Sequence, residues 1–179
     1  TISFADMVVT AVPYDMPVFG KRINILRLYQ AEDSAEAEKI SEYLYPADDT
    51  EEGKILRLRQ EYFFTAAACR DINFVRLHGT NFKNLGKYNT IQLNDTHPVL
   101  AIAELIRIMT AEYAVSFKAA LDAVKGTFAY TNHTILPEAL ECWDMGMIER
   151  ILPEIAQIIS KIDGAARIER EKAGYSAAE

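Results

Sequence analysis

Thr90-Ile91-Gln92-Leu93-Asn94-Asp95-Thr96-His97-Pro98 and, further on, Thr127-Phe128-Ala129-Tyr130-Thr131-Asn132-His133-Thr134-Ile135-Leu136-Pro137 follow one pattern. An extended segment of β-branched and aromatic residues leads into a polar elbow holding one histidine, and a proline then enters a helix-like run. After the first elbow, Ile102, Leu105, Ile106 and Met109 recur at helical spacing; after the second comes Leu136-Pro137-Glu138-Ala139-Leu140-Glu141. Asp95 or Thr96, and likewise Thr134, suit the N-cap position, with proline tolerated in the first turn because its missing N–H would lack a partner there. Strand, helix, strand, helix predicts an α/β fold with a parallel sheet, since a parallel pair needs a crossover and a helix supplies it. In such a sheet the ligand-binding loops gather at the carboxyl ends of the strands, so the two elbows should converge on one cleft.

Working outward, a helix is expected around Ser116 to Val124. Beyond the second elbow Ile148, Ile151, Leu152, Ile155, Ile158, Ile159 and Ile162 line one stripe, which Pro153 divides into two helices. Upstream, Ile55, Leu58, Tyr62, Ala66, Cys69 and Ile72 fall three and four apart, with Leu56 and Phe63 widening the stripe into a long, buried helix. Before it, Pro46-Ala47-Asp48-Asp49-Thr50-Glu51-Glu52-Gly53 crowds four carboxylates together and offers no large apolar anchor, which predicts an exposed, mobile loop over 46–53. Asp33 and Glu36 resemble a capping pair opening a short helix through Ala37, Ile40 and Leu44 to Pro46. Met7 to Val12 and Arg22 to Tyr29 read as strands, with the turn formers Pro13, Asp15, Pro17 and Gly20 between them, and Gly79, Asn81, Asn84 and Gly86 mark a loop. About four strands are few for a self-sufficient doubly wound domain. The chain opens on Thr1 and closes in the polar, alanine-rich Ala173 to Glu179, and is expected to be part of a larger protein.

Half of the 179 residues are apolar, enough for one sizeable core. The balance of 19 basic against 26 acidic residues, a formal charge of −7, repels nucleic-acid backbones and anionic membrane surfaces, so neither is expected as a partner. No apolar run approaches the roughly 20 residues of a membrane span, and a cytoplasmic protein is expected. Cys69 and Cys142 share no metal-ligand spacing and both fall in helix-like contexts, which predicts two reduced thiols.

The candidate site is Asn94, Asp95, His97, Asn132, His133 and Thr134, with Glu138 and Glu141 close behind. Two readings stay open from composition. Capping explains Asp95, Thr96 and Thr134; it does not call for two histidines. A metal site of Asp95, His97 and His133 has no paired ligand spacing behind it, and no metal is expected. Glu138 and Glu141 lie on one helical turn, whereas a glycosidase pair must flank the scissile bond at roughly 5 to 9.5 Å. Neither phosphate-binding glycine fingerprint is present. His78 reads as a loop residue, and Lys54, Arg57 and Arg59 read as the solvated face of the long helix.

Leu-Tyr-Pro (44–46) with Glu-Gly-Lys (52–54), Leu-Arg-Leu-Arg-Gln-Glu-Tyr-Phe (56–63), Ile-Gln-Leu-Asn-Asp-Thr-His-Pro (91–98) and Ala-Tyr-Thr-Asn-His-Thr-Ile-Leu-Pro-Glu-Ala-Leu-Glu (129–141) resemble the α-glucan phosphorylases of glycogen, starch and maltodextrin, in order and spacing, from about Val8 to Ile162. The resemblance implies a glycosyltransferase-B fold with Rossmann-like halves, of which 1–179 would be an incomplete piece of the N-terminal, glucan-binding domain. It implies a parent homodimeric enzyme that converts α-1,4-glucan and inorganic phosphate into glucose 1-phosphate with retention, using pyridoxal 5'-phosphate. The family's cofactor lysine and phosphate-binding basic residues belong to the other half, so no cofactor is expected on this piece. By resemblance His133 is catalytic, reading the 6-hydroxyl of the reacting glucose. Asp95 and His97 stand beside it, Glu141 lines a side pocket, Asp48 falls in a gate loop over 46–53, and Arg57 stands behind that loop.

Some positions depart from the family pattern. Gln30 to Tyr43 is shorter than the helix through which vertebrate members make subunit contacts. Asn73 and Phe74 stand where regulated members carry an arginine pair, and Asp49-Thr50-Glu51 replaces an Asn-Phe-Phe common in the animal gate loop. The pattern suits an unregulated microbial enzyme. Two hypotheses follow: an enzyme piece, inactive alone and self-associating through uncovered strand edges, or a non-catalytic carbohydrate-binding module. A module calls for aromatic platforms, and Trp143 is the sole tryptophan.

Overall fold

The computed structural model describes residues 1–17, 25–72, 82–136 and 140–175. They fall into two units, Thr1–Ile72 and Asn73–Glu179. Gly20, Asn73, Phe74, His78, Gly79, Asn81, Pro137 and Glu138 lie outside the described residues.

The first unit holds an antiparallel sheet in the order β1 (Ile2–Ser3), β2 (Val8–Pro17), β3 (Ile25–Glu32). The register pairs Thr10 with Glu32, Pro13 with Tyr29 and Pro17 with Ile25. Pro13, Asp15 and Pro17, expected in the turn, are therefore strand residues. The prolines are tolerated because, among the described residues, β1 pairs only with Val8 and Val9, which leaves the rest of that side of β2 an open edge. Thr10 N–H turns the other way, to Asp33 Oδ2 at 2.7 Å, so by alternation the missing N–H groups of Pro13 and Pro17 face that edge. Arg27 ties the hairpin to the long helix by holding Asp15 through Nε and Nη2 at 2.5 Å each and reaching Asp71 through Nη1.

Helix α1 (Ala35–Glu42) is capped by Ser34, whose hydroxyl accepts the Ala37 N–H at 3.1 Å; Asp33 is taken by the Thr10 contact and does not cap. The helix ends at Glu42, short of the expected Pro46. Helix α2 (Glu51–Asp71) begins inside the stretch read as a loop. Thr50 caps it by accepting the Gly53 N–H at 3.1 Å, and Glu51 and Glu52 favour the positive end of the helix dipole. The irregular segment is thus 43–50, not 46–53. Leu58, Tyr62, Phe63, Ala66 and Cys69 bury the predicted stripe, and Phe4 meets Tyr62 edge-on at 5.6 Å.

Among the described residues the second unit opens with a 3-10 turn (Phe82–Asn84) and the one-turn helix α3 (Leu85–Tyr88), which contains Gly86 rather than leaving it in a loop. A Cβ on Gly86 would stand 2.1 Å from the carbonyl oxygen of Gly126, so the backbones meet where only glycine fits. Strand β4 (Ile91–Asn94), helix α4 (Leu100–Arg107), a π-helical turn (Ile108–Glu112), helix α5 (Phe117–Lys125) and strand β5 (Phe128–Thr131) follow. β4 and β5 pair in parallel with Ile91 opposite Phe128 and Asn94 opposite Thr131. The α/β crossover and its parallel pair are as expected. Among the described residues the hairpin strands form a sheet of their own, because a short connection allows only antiparallel pairing.

Ser116 caps α5. Helix α6 (Met145–Ile151), capped by Asp144, and helix α7 (Pro153–Lys172) divide at Pro153, which takes the first position of the second helix. Leu105, Ile106, Met109, Ile148, Ile151 and Ile155 are buried. Within this core Glu104 is fully buried and held by Arg107 through Nε at 2.7 Å and Nη2 at 2.8 Å. The same guanidinium reaches Glu112 and Glu154, which ties α4 to the π turn and to the start of α7.

Candidate functional site

The parallel register brings both elbows out at the same end of β4 and β5. Asp95 N–H donates to the Thr131 carbonyl at 2.8 Å, one rung beyond the strands. It then turns sharply at φ +59, a left-handed conformation that aspartate tolerates better than most residues. That turn aims its carboxylate at the second elbow. Oδ1 accepts the His133 N–H at 2.8 Å and Oδ2 lies 3.3 Å from His133 Nδ1. The His133 amide first, then the imidazoles of His133 and His97, hold the Asp95 carboxyl below the usual carboxylate range, against the effect of burial.

Glu141 returns to the first elbow. Its Oε1 lies 3.1 Å from His97 Nδ1, and its Oε2 accepts the Thr96 hydroxyl at 3.0 Å. Asp95, His97, His133 and Glu141 thereby form two carboxylate–imidazole pairs linked through residues 95–97. Asn132 locks the second elbow: its Nδ2 donates to the Thr134 carbonyl at 2.8 Å, and its Oδ1 accepts the Thr134 N–H at 3.2 Å. The capping expectation fails for Asp95 and Thr96; the helix that Thr134 was expected to cap falls on 137–139, outside the described residues. Helix α4 starts after Val99 with no side-chain cap, Thr96 serves Glu141, and Thr134 closes the Asn132 turn. Glu141 and Cys142 lie in irregular chain rather than on a helix. Both cysteines are free thiols, Cys69 buried and Cys142 exposed.

Asp48 and Arg57 belong to the first unit and meet there. Arg57 Nη1 lies 3.6 Å from Asp48 Oδ2 and its Nε 3.4 Å from Glu61 Oε1. Arg57 is not a solvated face residue, since its side chain keeps only 17% exposure; Arg59, at 13%, reaches Asp6 at 2.5 Å. Gln60 escaped the sequence reading. It lies four residues after Leu56 and three before Phe63, so a polar group on the widened apolar stripe was the available sign of a buried, partnered amide.

Carboxylates, imidazoles and a threonine hydroxyl thus stand together at the ends of parallel strands in an α/β unit, where they can donate and accept directed hydrogen bonds. The chain belongs to the carbohydrate phosphorylase family, whose model matches residues 30–178. It is similar to the glycogen phosphorylase of Bacillus subtilis (strain 168), 42% identical over 173 residues, covering 87% of this chain and 22% of that protein. It is 41% identical over 188 residues to the liver form of Homo sapiens, again 87% of this chain and 22% of the relative. Glycogen phosphorylase 2 of Dictyostelium discoideum is 45% identical over 133 residues, 74% of this chain and 13% of that protein. The chain thus spans 22% of the length of the first two. The alignment with the human form is longer at the same share of this chain, so that relative carries more inserted residues within the matched stretch.

Proposed function

We propose that this chain is part of the N-terminal, glucan-binding domain of an α-glucan phosphorylase of glycosyltransferase-B fold with Rossmann-like halves, and that it contributes sugar contacts to the active site. The parent enzyme takes α-1,4-glucan and inorganic phosphate to glucose 1-phosphate with retention, as a cytoplasmic homodimer. Family membership and the names of its relatives support the activity. The observation that carries the site is the double hold of Asp95 on His133.

In this reading His133 is the catalytic residue facing the sugar. Nδ1–H directed at Asp95 leaves Nε2 as the ring's acceptor on the exposed side, suited to a sugar hydroxyl. Glu141 and His97 supply a second acceptor–donor pair to the same ligand, and Asp48 and Arg57 belong to the gate over 46–53. The elbows offer no lysine or arginine, so they do not fit the phosphate and aldehyde of pyridoxal 5'-phosphate. That cofactor is assigned to the rest of the parent protein, and the isolated chain is inactive. Ile135, Leu136 and Leu140, exposed at 99%, 58% and 46% beside the second elbow, favour a piece that other structure covers over a closed carbohydrate-binding module.

The test is phosphorolysis of maltodextrin by the full-length protein, followed by proton NMR of the sugar 1-phosphate. An α-anomeric product supports the reading. A β-anomer, or release of free glucose in place of the phosphate ester, overturns it.

A further inference from the structure

Tyr45 lies in the irregular segment 43–50, is 57% exposed, and has φ +58, where a tyrosine rarely sits. A strained residue in an exposed turn persists only where its surroundings fix it. The fixing group is Gln60, a buried residue of α2. Its Oε1 accepts the Tyr45 N–H at 2.9 Å, and its Nε2 donates to the Ile40 carbonyl at 2.7 Å and the Tyr43 carbonyl at 2.8 Å. Both amide hydrogens are thus committed, one of them to a last-turn carbonyl of α1 that lacks an intrahelical partner.

One turn back on α2, Arg57 stands 5.8 Å from the Tyr45 ring centroid and reaches Asp48. At the far end of the segment, Thr50 caps α2, and a Cβ at Gly53 would lie 2.1 Å from the Ala47 carbonyl oxygen. The segment is therefore held by buried or main-chain contacts at both ends. Between them Asp48 is held by an ion pair at 3.6 Å whose carboxylate is half exposed.

We propose that Gln60 is a positioning residue: it fixes the root of the segment at Tyr43–Tyr45 and confines motion to Asp48 and Asp49, with the Arg57–Asp48 pair as the releasable contact. This rests on the gate reading above for its link to activity, and on the first unit alone for its structure.

Hydrogen exchange resolved to single amides in the full-length protein tests it. In the wild type the Tyr45 amide should exchange about ten-fold or more slowly than those of Asp48 and Asp49, after correction for sequence. Gln60→Met, similar in length and without hydrogen-bonding capacity, should bring Tyr45 to the rate of Asp49 while Phe63 to Ala67 keep theirs. An unprotected Tyr45 amide in the wild type overturns the proposal without any variant having to fold, and so does unchanged protection in Gln60→Met. Kinetics separate the two readings. A changed KM for glucan in Gln60→Met, with kcat altered less, ties the clamp to the gate; unchanged constants refute that tie. Complete absence of phosphorolysis in the wild type refutes the proposed function and leaves the exchange result standing.

Discussion

Asp95 holds His133 at two points, its Oδ1 2.8 Å from the main-chain nitrogen and its Oδ2 3.3 Å from Nδ1 of the ring. The first contact fixes where the second elbow runs, and the second fixes how the imidazole is turned. An imidazole presented at 54% exposure would otherwise sample several rotamers; a carboxylate from the neighbouring strand end restricts that freedom.

Asp95→Asn should preserve the elbow and disturb the ring. The amide oxygen can still accept the His133 N–H, but the NH2 group now faces Nδ1, which must accept, so Nε2 becomes the donor. On the proposed reading, phosphorolysis by the full-length protein should fall about ten- to hundred-fold, the range for losing one hydrogen bond to a charged group. Ring 15N shifts that report the same tautomer in both proteins would refute the explanation.

Stability should also depend on this carboxylate at acid pH. Because the His133 amide and the imidazoles depress the folded-state pKa of Asp95, its contribution is fully present above the unfolded value of about 3.9 and is lost as pH falls through the lower folded value. Between about pH 6 and pH 3, unfolding midpoints of wild type and Asp95→Asn should therefore converge at the acid end. Parallel curves across that range would count against a depressed pKa.

The sequence made the crossover legible because its signals are local. Ser116 before an apolar run, Pro153 at a helix start, and Ile91 and Phe128 opening alternating segments each act within a few residues. Where the reading went astray, a partner distant in the chain decided. Thr96 looked like a cap until Glu141, far along the sequence, took its hydroxyl. Asp33 was drawn from capping by the Thr10 amide, and Arg57 was drawn from the solvated face by Asp48, Glu61 and the Tyr45 ring. Pro13 suits a turn by residue type, and only the sheet, through an open strand edge, makes it a strand residue. Strand order brings the two elbows to one end of the sheet; that Asp95 then takes the His133 amide and ring, and Glu141 the His97 ring, is settled by the fold.

Arg107→Leu should be among the costliest substitutions in the second unit. It leaves Glu104, whose side chain is 1% exposed, without its two-pronged partner. Breaking a buried pair from one side costs roughly 3 to 5 kcal/mol. The double variant Arg107→Leu with Glu104→Leu should recover much of the loss, because no charge is then stranded. Urea unfolding followed by tryptophan fluorescence measures both, and an equally unstable double variant would mean that packing, not charge, sets the cost.

The isolated 20.2 kDa chain should self-associate. Strand β5 carries exposed residues from Ala129 to Thr131, whereas parallel strands are ordinarily covered on both faces, and Ile135, Leu136 and Leu140 extend the uncovered surface. Sedimentation velocity should show mass rising with concentration. Ile135→Lys with Leu136→Lys should shift the distribution toward monomer, and a wild-type chain monomeric at every concentration would contradict the expectation.

His133→Ala in the full-length protein is the most direct trial of the proposed site. If the imidazole reads the 6-hydroxyl of the reacting glucose, the substitution removes one hydrogen bond to a neutral partner and leaves a sugar hydroxyl unpaired in the cleft. Such losses are worth roughly 1 to 3 kcal/mol, about one to two decades in rate. The contact orients the sugar in the transition state as well as in the ground state, so kcat should fall along with a rise in KM. Asp95 is left intact, and its hold on the residue-133 main-chain N–H should survive, so the elbow itself should not collapse. A 6-deoxyglucosyl donor supplies the control: it lacks the hydroxyl, so wild type and variant should converge on it. If the variant remains equally impaired on the 6-deoxy donor, the imidazole does not read that hydroxyl, and His133 serves only to shape the turn that Asp95 and Asn132 hold.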